Sequence, residues 1–177
     1  QDLADRFPDP SVRRTIEVDL GLIDHYDQLI RDLELYLDRT AKQHDPNTLH
    51  RLRTVHGIGK ILALVILYEI QDIHRFPRVQ DFASYCRLVK CAKKSDGKCY
   101  GTAGHKIGNV HLKWAFSEAA VLFLRLNPQG QKFFAQLETK HGKGKALTVL
   151  AHKLARAVYF MLRREQAFDM HKLLSAA

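Results

Sequence analysis

Apolar residues recur along this chain at helical intervals, interrupted by a few breaks marked with proline and glycine. Between Val12 and Lys42, the residues Leu22, Tyr26, Leu29, Leu33 and Tyr36 repeat at alternating spacings of four and three, and Ile23, Ile30 and Leu37 widen them into one apolar stripe on a charged rod. His44-Asp45-Pro46-Asn47 ends this helix, because proline removes a donor and disfavours helix at the residue before it. Thr48 is placed to cap a short helix over Leu49 to Val55; Gly57 and Gly59 then turn the chain into a strongly apolar helix over Lys60 to Ile70. Phe76-Pro77 breaks the chain again, and Val79 to Leu88 reads as a short helix with Phe82, Tyr85 and Cys86 on one side. The helical period resumes from Asn109 to Leu126, with Leu112, Phe116, Ala119, Ala120 and Phe123 inward. After Asn127-Pro128 it returns over Gln129 to Thr139 and over Ala146 to Arg164, where Leu147, Leu150, Leu154, Val158 and Met161 form the buried side. At this spacing Trp114, Phe116, Phe133 and Phe134 read as core.

These patterns predict an all-α chain. Residues 1–45 make an extended arm up to Ser11 and then a long, protruding, coiled-coil-like amphipathic helix; residues 46–177 make a compact helical domain with a helix-hairpin-helix-like unit at 49–70. The stripe on the first helix needs a partner, which a two-stranded coiled coil, an antiparallel dimer or the body of the chain itself would provide. The Gly57-Ile58-Gly59 turn leaves free N–H groups at the positive end of the following helix beside Lys60, a seat suited to a phosphate, although such turns also join helices for packing alone.

One segment breaks the helical pattern. From Cys86 to His111 the chain is rich in lysine and glycine; Lys98-Cys99-Tyr100 could pair as a short strand or ribbon, but the glycine and serine density favours an irregular loop at 90–108. Lys90, Lys93, Lys94, Lys98 and Lys106 surround the Ser95 hydroxyl in sequence. That combination suits phosphoryl chemistry, in which cations stabilise charge on the phosphoryl oxygens while a base or metal takes the proton of the attacking alcohol. The cations are present; His105 and His111 are the candidate bases, with no spacing that fixes either on Ser95, and a solvated loop accounts for the same residues.

Charge sharpens the picture. Residues 1–45 hold 6 Lys and Arg against 11 Asp and Glu, net −5; residues 46–177 hold 22 against 8, net +14. A segment so basic attracts a polyanion, nucleic acid above all, with salt-sensitive affinity. Arg51, Arg53, Lys143, Lys145, Lys153, Arg156, Arg163 and Arg164 extend the basic surface beyond the loop. Cys86, Cys91 and Cys99 with His105 and His111 raise a zinc site, but their spacings lack a Cys-x-x-Cys pair, and reduced structural cysteines in a reducing cytoplasm are expected with no metal bound. The longest apolar run, Ile61 to Tyr68, is far below the ~20 residues that span a bilayer, so no membrane partner is expected.

The order of motifs VHGIGKILALVILYEIQDIHRFP, DFASYCRLV, KKSDGKCYGTAGHKIGNVHLKWAFSEAA and NPQGQKFFAQLETKHGKGKALTVLAHKLARAVYFML, over about Leu49 to Leu162, resembles the C-terminal transposase domain of the insertion-sequence one-ten family. The helix before it is similar to the coiled-coil segment that in this family follows a RuvC-like DEDD domain. The resemblance implies that Ser95 is the catalytic nucleophile, forming a covalent phosphoserine with DNA during strand exchange. Alongside Ser95, Lys93, Lys94, Lys98, Lys106 and Asn109, with Gly57, Gly59 and Lys60 of the turn, are the expected nucleic-acid-binding positions. The resemblance also implies DNA and a structured bridge RNA as partners, a homodimer or tetramer, a nucleoid location, and magnesium held by the carboxylates of the RuvC-like domain. Two positions differ from the family: Asp96 separates Ser95 from Gly97, and Arg87-Leu88-Val89-Lys90 replaces a Gly-Leu-x-Pro turn. The chain is expected to be a fragment that binds nucleic acid and self-associates but does not recombine DNA alone. The reading from another class is a non-catalytic helix-hairpin-helix binding module.

Overall fold

The computed structural model describes residues 6–89, 91–95, 98–103 and 107–175, with side chains described for 6–89 and 107–175. It divides into two compact units, Gln1–Thr40 and Ala41–Ala177. Helix α1 (Pro10–His44) provides the described body of the first unit. At its start the Asp9 carboxylate accepts hydrogen bonds from the Ser11 amide at 2.8 Å and the Ser11 hydroxyl at 2.6 Å, which satisfies first-turn donors and lowers the Asp9 pKa. Leu22, Ile23, Tyr26, Leu29, Ile30, Leu33, Tyr36 and Leu37, the whole predicted stripe, are exposed.

The second unit is built from α2 (Pro46–Arg53), α3 (Lys60–Ile70), a 3₁₀ turn (Ile73–Arg75), α4 (Val79–Tyr85), strands β1 (Cys91–Ser95) and β2 (Lys98–Ala103), α5 (Val110–Phe123), α6 (Pro128–His141), α7 (Lys143–Arg163) and α8 (Met170–Ser175). Asp45 caps α2 by accepting from the Thr48 amide at 3.0 Å, with Pro46 at the first helical position where no N–H is needed. Asn109 and Asn127 cap α5 and α6 in the same way. The expected boundary at Asp45-Pro46 is therefore a capped helix start, three residues before Leu49.

Helix α7 is the centre of this unit. It packs against α2, the 3₁₀ turn, α4, α5, α6 and α8. Small and large buried residues alternate along it, with Ala151 and Ala155 beside Leu150, Leu154 and Val158, which lets neighbouring helices come close. Phe82 lies at the aromatic centre, edge-on to Phe76 at 5.2 Å and to Phe116 at 6.1 Å and tilted against Tyr159 at 5.8 Å. The Tyr159 hydroxyl donates to the Phe76 carbonyl at 2.9 Å, which fixes the break before Pro77 onto α7. Phe116, Ala119, Ala120 and Phe123 are buried as expected; Trp114 is not core, being 47% exposed on the outer face of α5.

The helical class holds, with one addition among the described residues. Cys91–Ser95 and Lys98–Ala103 pair as an antiparallel two-stranded ribbon, where an irregular loop was expected. The backbone pairing satisfies peptide groups that a loop would leave to water, and a bulge at Lys93/Lys94 bends the ladder. The overlooked signal is Asp96-Gly97, a dipeptide strongly favoured in two-residue hairpins. The 3₁₀ turn and α8 were also not anticipated; both are too short to carry a period. Among the described residues no helix is long and apolar enough to cross a membrane.

Gly57 and Gly59, paired in sequence, have different jobs. Gly57 has φ +85°, and a Cβ there would lie 2.5 Å from the Ala119 carbonyl oxygen and 2.6 Å from the Phe123 amide nitrogen, so α5 approaches a backbone that only glycine allows. Gly59, with φ −81°, begins α3, and a Cβ there would meet no atom within 4 Å. Gly57→Ala should therefore lose ~3 kcal/mol of stability in urea denaturation, combining backbone strain with overpacking. Gly59→Ser should hold or gain a few tenths of a kcal/mol, roughly the value of an added capping hydroxyl.

Candidate functional site

The ribbon that bears Ser95 leaves the helical body at a joint made by three short stretches. Helix α4 ends with the Cys86 amide donating to the Phe82 carbonyl at 2.9 Å and the Leu88 amide reaching back to the Ala83 carbonyl at 3.1 Å, while Arg87 takes the left-handed conformation, φ +55°. This is the termination geometry in which glycine usually occupies the left-handed position. Here an arginine does, and its side chain is engaged: Nε donates to the Gly108 carbonyl at 2.9 Å. The start of α5 closes the joint, since the Asn109 amide donates to the Tyr85 carbonyl at 2.6 Å. Gly108 has φ +99°, and a Cβ at that position would meet the Tyr85 carbonyl oxygen at 2.5 Å.

Asn109 locks the joint to two further elements. Its Oδ1 accepts the Leu112 amide at 2.9 Å as the cap of α5; its Nδ2 donates to Glu69 Oε2 of α3 at 2.5 Å and lies 3.4 Å from the Tyr85 hydroxyl. Arg75 strengthens the same corner, with its guanidinium 4.6 Å from the Phe76 ring centre and 4.7 Å from that of Tyr85 and one nitrogen donating to the Glu69 carbonyl at 3.3 Å.

From this base β1 carries Ser95 about 13 Å along the ribbon, at ~3.3 Å per residue over the four steps from Cys91. Ser95 is the last residue of β1 and is paired in register with Lys98; Lys94 is paired with Cys99 and Lys93 with Gly101. The backbone thus brings Ser95, Lys94 and Lys98 together at the distal end of the ribbon. Lys106 lies outside the described residues, as do Lys90, Asp96, Gly97 and His105.

The other expected positions are placed differently. Gly57 is used in packing against α5. Gly59 and Lys60 stand at the start of α3, with no side chain capping that helix. Asn109, expected to bind nucleic acid, has its amide engaged within the fold and acts as a positioning residue for the ribbon. Several basic residues are also committed: Arg51 pairs with Glu165 at 3.4 Å, Arg163 donates to the His74 carbonyl at 3.4 Å and Arg164 lies 4.9 Å from the Phe160 ring centre. Among the described residues no group of three or more His, Cys, Asp or Glu side chains could hold a metal ion. Cys86 is buried, and burial pushes its thiol pKa well above the ordinary range, as expected of a structural cysteine.

Glu69, Arg75, Tyr85 and Arg87 were not anticipated as parts of the site. Glu69 had a visible signal as the one carboxylate in the apolar sequence of α3, and Asn109 had another as the polar residue just before a helical period. Asn109→Ala should cost about 2 kcal/mol in thermal or urea unfolding, from the lost cap and the hydrogen bond to a carboxylate. Its amide-exchange protection should fall most at Leu112 and in the ribbon; unchanged exchange there would remove Asn109 from the positioning role.

Residues 49–135 match the family described as Transposase IS116/IS110/IS902 family. The chain is 26% identical over 163 residues to the transposase for insertion sequence element IS1111A of Coxiella burnetii, covering 90% of this chain and 44% of that protein. It is 27% identical over 151 residues to the transposase for insertion sequence element IS1328 of Yersinia enterocolitica, covering 82% of this chain and 45% of the relative. An insertion element IS110 uncharacterized 43.6 kDa protein of Streptomyces coelicolor is 26% identical over 141 residues, 78% of this chain and 34% of its own length. The chain thus spans less than half the length of these curated relatives. The matched segment runs from α2 into α6 and encloses the ribbon and its joint, and together these matches support an IS110-family transposase.

Proposed function

We propose that this chain supplies the serine half of a DNA strand-exchange site, with Ser95 as nucleophile and Lys93, Lys94 and Lys98 as phosphate clamps. The observation that carries the reading is the placement of Ser95 at the end of β1, in register with Lys98 in a paired ribbon, with the flanking residues Arg87, Gly108 and Asn109 tied to the helical body. A nucleophile must be held in position, and a strand ladder holds a backbone better than a free loop does. Attack by the Ser95 oxygen forms an Oγ–P bond and breaks one backbone P–O bond. The serine proton passes to a base, and the departing oxygen takes up a proton to leave a hydroxyl end. Lysines flanking the serine in the register suit the negative charge that builds on the phosphoryl oxygens.

The described residues do not fit magnesium, because they form no cluster of ligating side chains. We assign the metal and its carboxylates to a RuvC-like domain outside these residues and route no step through them. DNA is the proposed substrate and a structured RNA the proposed guide, both at the nucleoid. The exposed apolar stripe of α1 supports self-association as a dimer or tetramer, since leaving eight large apolar side chains in water is unfavourable.

The second reading, a helix-hairpin-helix module that binds nucleic acid without chemistry, is favoured by the start of α3 at Gly59, where no side chain caps the helix and a Cβ would meet no atom within 4 Å. The two readings separate in one experiment on a whole transposase carrying this segment. Ser95→Ala should abolish denaturation-resistant protein–DNA adducts, a fall of ~10³-fold or more in strand exchange. Its DNA affinity should stay within about threefold, because a hydroxyl contributes little to a backbone contact dominated by cations. Adducts that persist in the variant would place the nucleophile elsewhere, and a wild-type protein that binds but forms none would leave the binding module.

Sedimentation of the 177-residue chain should show a dimer that Leu29→Lys with Leu33→Lys dissociates. A wild-type monomer at high protein concentration would remove α1 as the interface.

A further inference from the structure

Beyond the ribbon, the second unit contains a cavity of about 320 Å³ between α7 and the chain that returns after it. The return is sharp. Glu165 has φ +52°, the Gln166 amide donates to the Met161 carbonyl at 3.0 Å, and α8 is anchored by buried Leu173, whose carbonyl accepts a hydrogen bond from Lys153 Nζ at 3.1 Å. The residues of α7 and its C-cap that line the cavity, among them Lys153, Arg156, Phe160 and Arg164, recur at spacings of three and four and form one stripe. Phe168 and Lys172 face them from the returning segment.

The lining is unbalanced in charge. Four cations, Lys153, Arg156, Arg164 and Lys172, stand against one carboxylate, Asp169. Asp169 is already engaged, lying 3.6 Å from Lys172 Nζ and accepting the Lys172 amide at 3.1 Å. Lys153 holds the end of α8 and lies 4.4 Å from the Phe133 ring centre, and Arg164 lies over Phe160. Arg156 remains: it is half-buried and makes no hydrogen bond or ion pair among the described residues. Its neighbour His152 is no counter-ion, since burial first and the charge of Arg156 second both lower its pKa and favour the neutral ring. A partly buried cation without an anion is a site for one.

We propose that this cavity binds one nucleotide of a single nucleic-acid strand, the phosphate on Arg156 and the base among Phe160, Phe168 and the plane of Arg164. The inference rests on the nucleic-acid reading above and adds a second contact point to it. An inorganic anion would satisfy Arg156 and leave the aromatic wall unfilled, whereas an acyl chain would leave Arg156 unpaired. A nucleotide has both a flat apolar face and an anion, and the volume falls within the ~300–1,000 Å³ of small-ligand sites. In a duplex the bases are stacked inward and cannot enter, so the strand must be single.

The test is fluorescence anisotropy on the 177-residue chain with a short oligothymidylate, an abasic strand of the same length and a duplex. Arg156→Gln should weaken the oligothymidylate roughly tenfold and lower the slope of log K against log salt by about 0.7, the single-strand value for one phosphate contact. Arg156→Lys should restore the slope, and circular dichroism melts confirm that each variant is folded. Phe168→Ala, or Phe168→Leu if the first does not fold, should remove the preference of wild type for the oligothymidylate over the abasic strand. Duplex affinity should change by less than about twofold for Arg156→Gln, since duplex contacts lie elsewhere. Wild-type affinity and slope in Arg156→Gln, with duplex binding intact, would overturn the cavity while leaving the serine ribbon standing. Equal wild-type binding of the two single strands would also overturn it, and a chain that binds no nucleic acid would remove both readings.

Discussion

The amide of Asn109 is the constraint on which the placement of the ribbon depends. One side chain accepts from the first turn of α5, donates to Glu69 on α3 and approaches the Tyr85 hydroxyl at the end of α4, while the backbone of the same residue is tied to Tyr85. Three helices therefore agree on where the ribbon starts. A half-buried carboxylate such as Glu69 is costly without a partner, and the Asn109 amide supplies a donor where a second charge is not needed. Arg87 and Gly108 make the joint rigid in a different way, through left-handed backbone angles that the surrounding contacts hold in place.

This arrangement separates the packed core from the ribbon. The core around α7 is apolar and aromatic, and Asn127 is the one polar residue among the described buried set. The ribbon obtains its order from backbone pairing, which makes few demands on side-chain identity. Lysine and serine can then occupy β1 and β2 without weakening a packed interior. The joint couples the two regions through a few hydrogen bonds, so a change in the core reaches the ribbon through Tyr85, Glu69 and Asn109 before it reaches any residue of the ribbon itself.

The helices are legible because each long one writes its buried face into the sequence at a period near 3.6. The pattern places Lys60–Ile70 to the residue, and it gives the inward face of α5 correctly except for Trp114. Trp114 shows the limit of periodicity: an aromatic residue beside a buried face is not on it, and one helical step decides the matter. The ribbon escapes for a related reason. Its strands carry no apolar alternation, so the only local signal is the Asp96-Gly97 turn dipeptide, which against the family pattern reads as a departure instead of as turn chemistry. The joint is least legible of all. Glu69 and Asn109 are 40 residues apart, and no pattern within either helix announces a contact made by folding.

Formal charge is a good guide to the kind of partner and a poor guide to the residues that meet it. The net +14 of residues 46–177 creates a field that concentrates polyanions at long range, whatever each cation does locally. Close contact is another matter, because a cation already held by the fold must give up that bond to take a phosphate. Arg51, Arg163 and Lys153 are held by Glu165, the His74 carbonyl and the Leu173 carbonyl. Arg156, on the same helix as Arg163 and Lys153, has no such bond among the described residues and needs no rearrangement before binding. Two basic residues of equal formal charge can therefore differ in what they offer a nucleic acid. The difference lies in what each must release first, which a charge count cannot register.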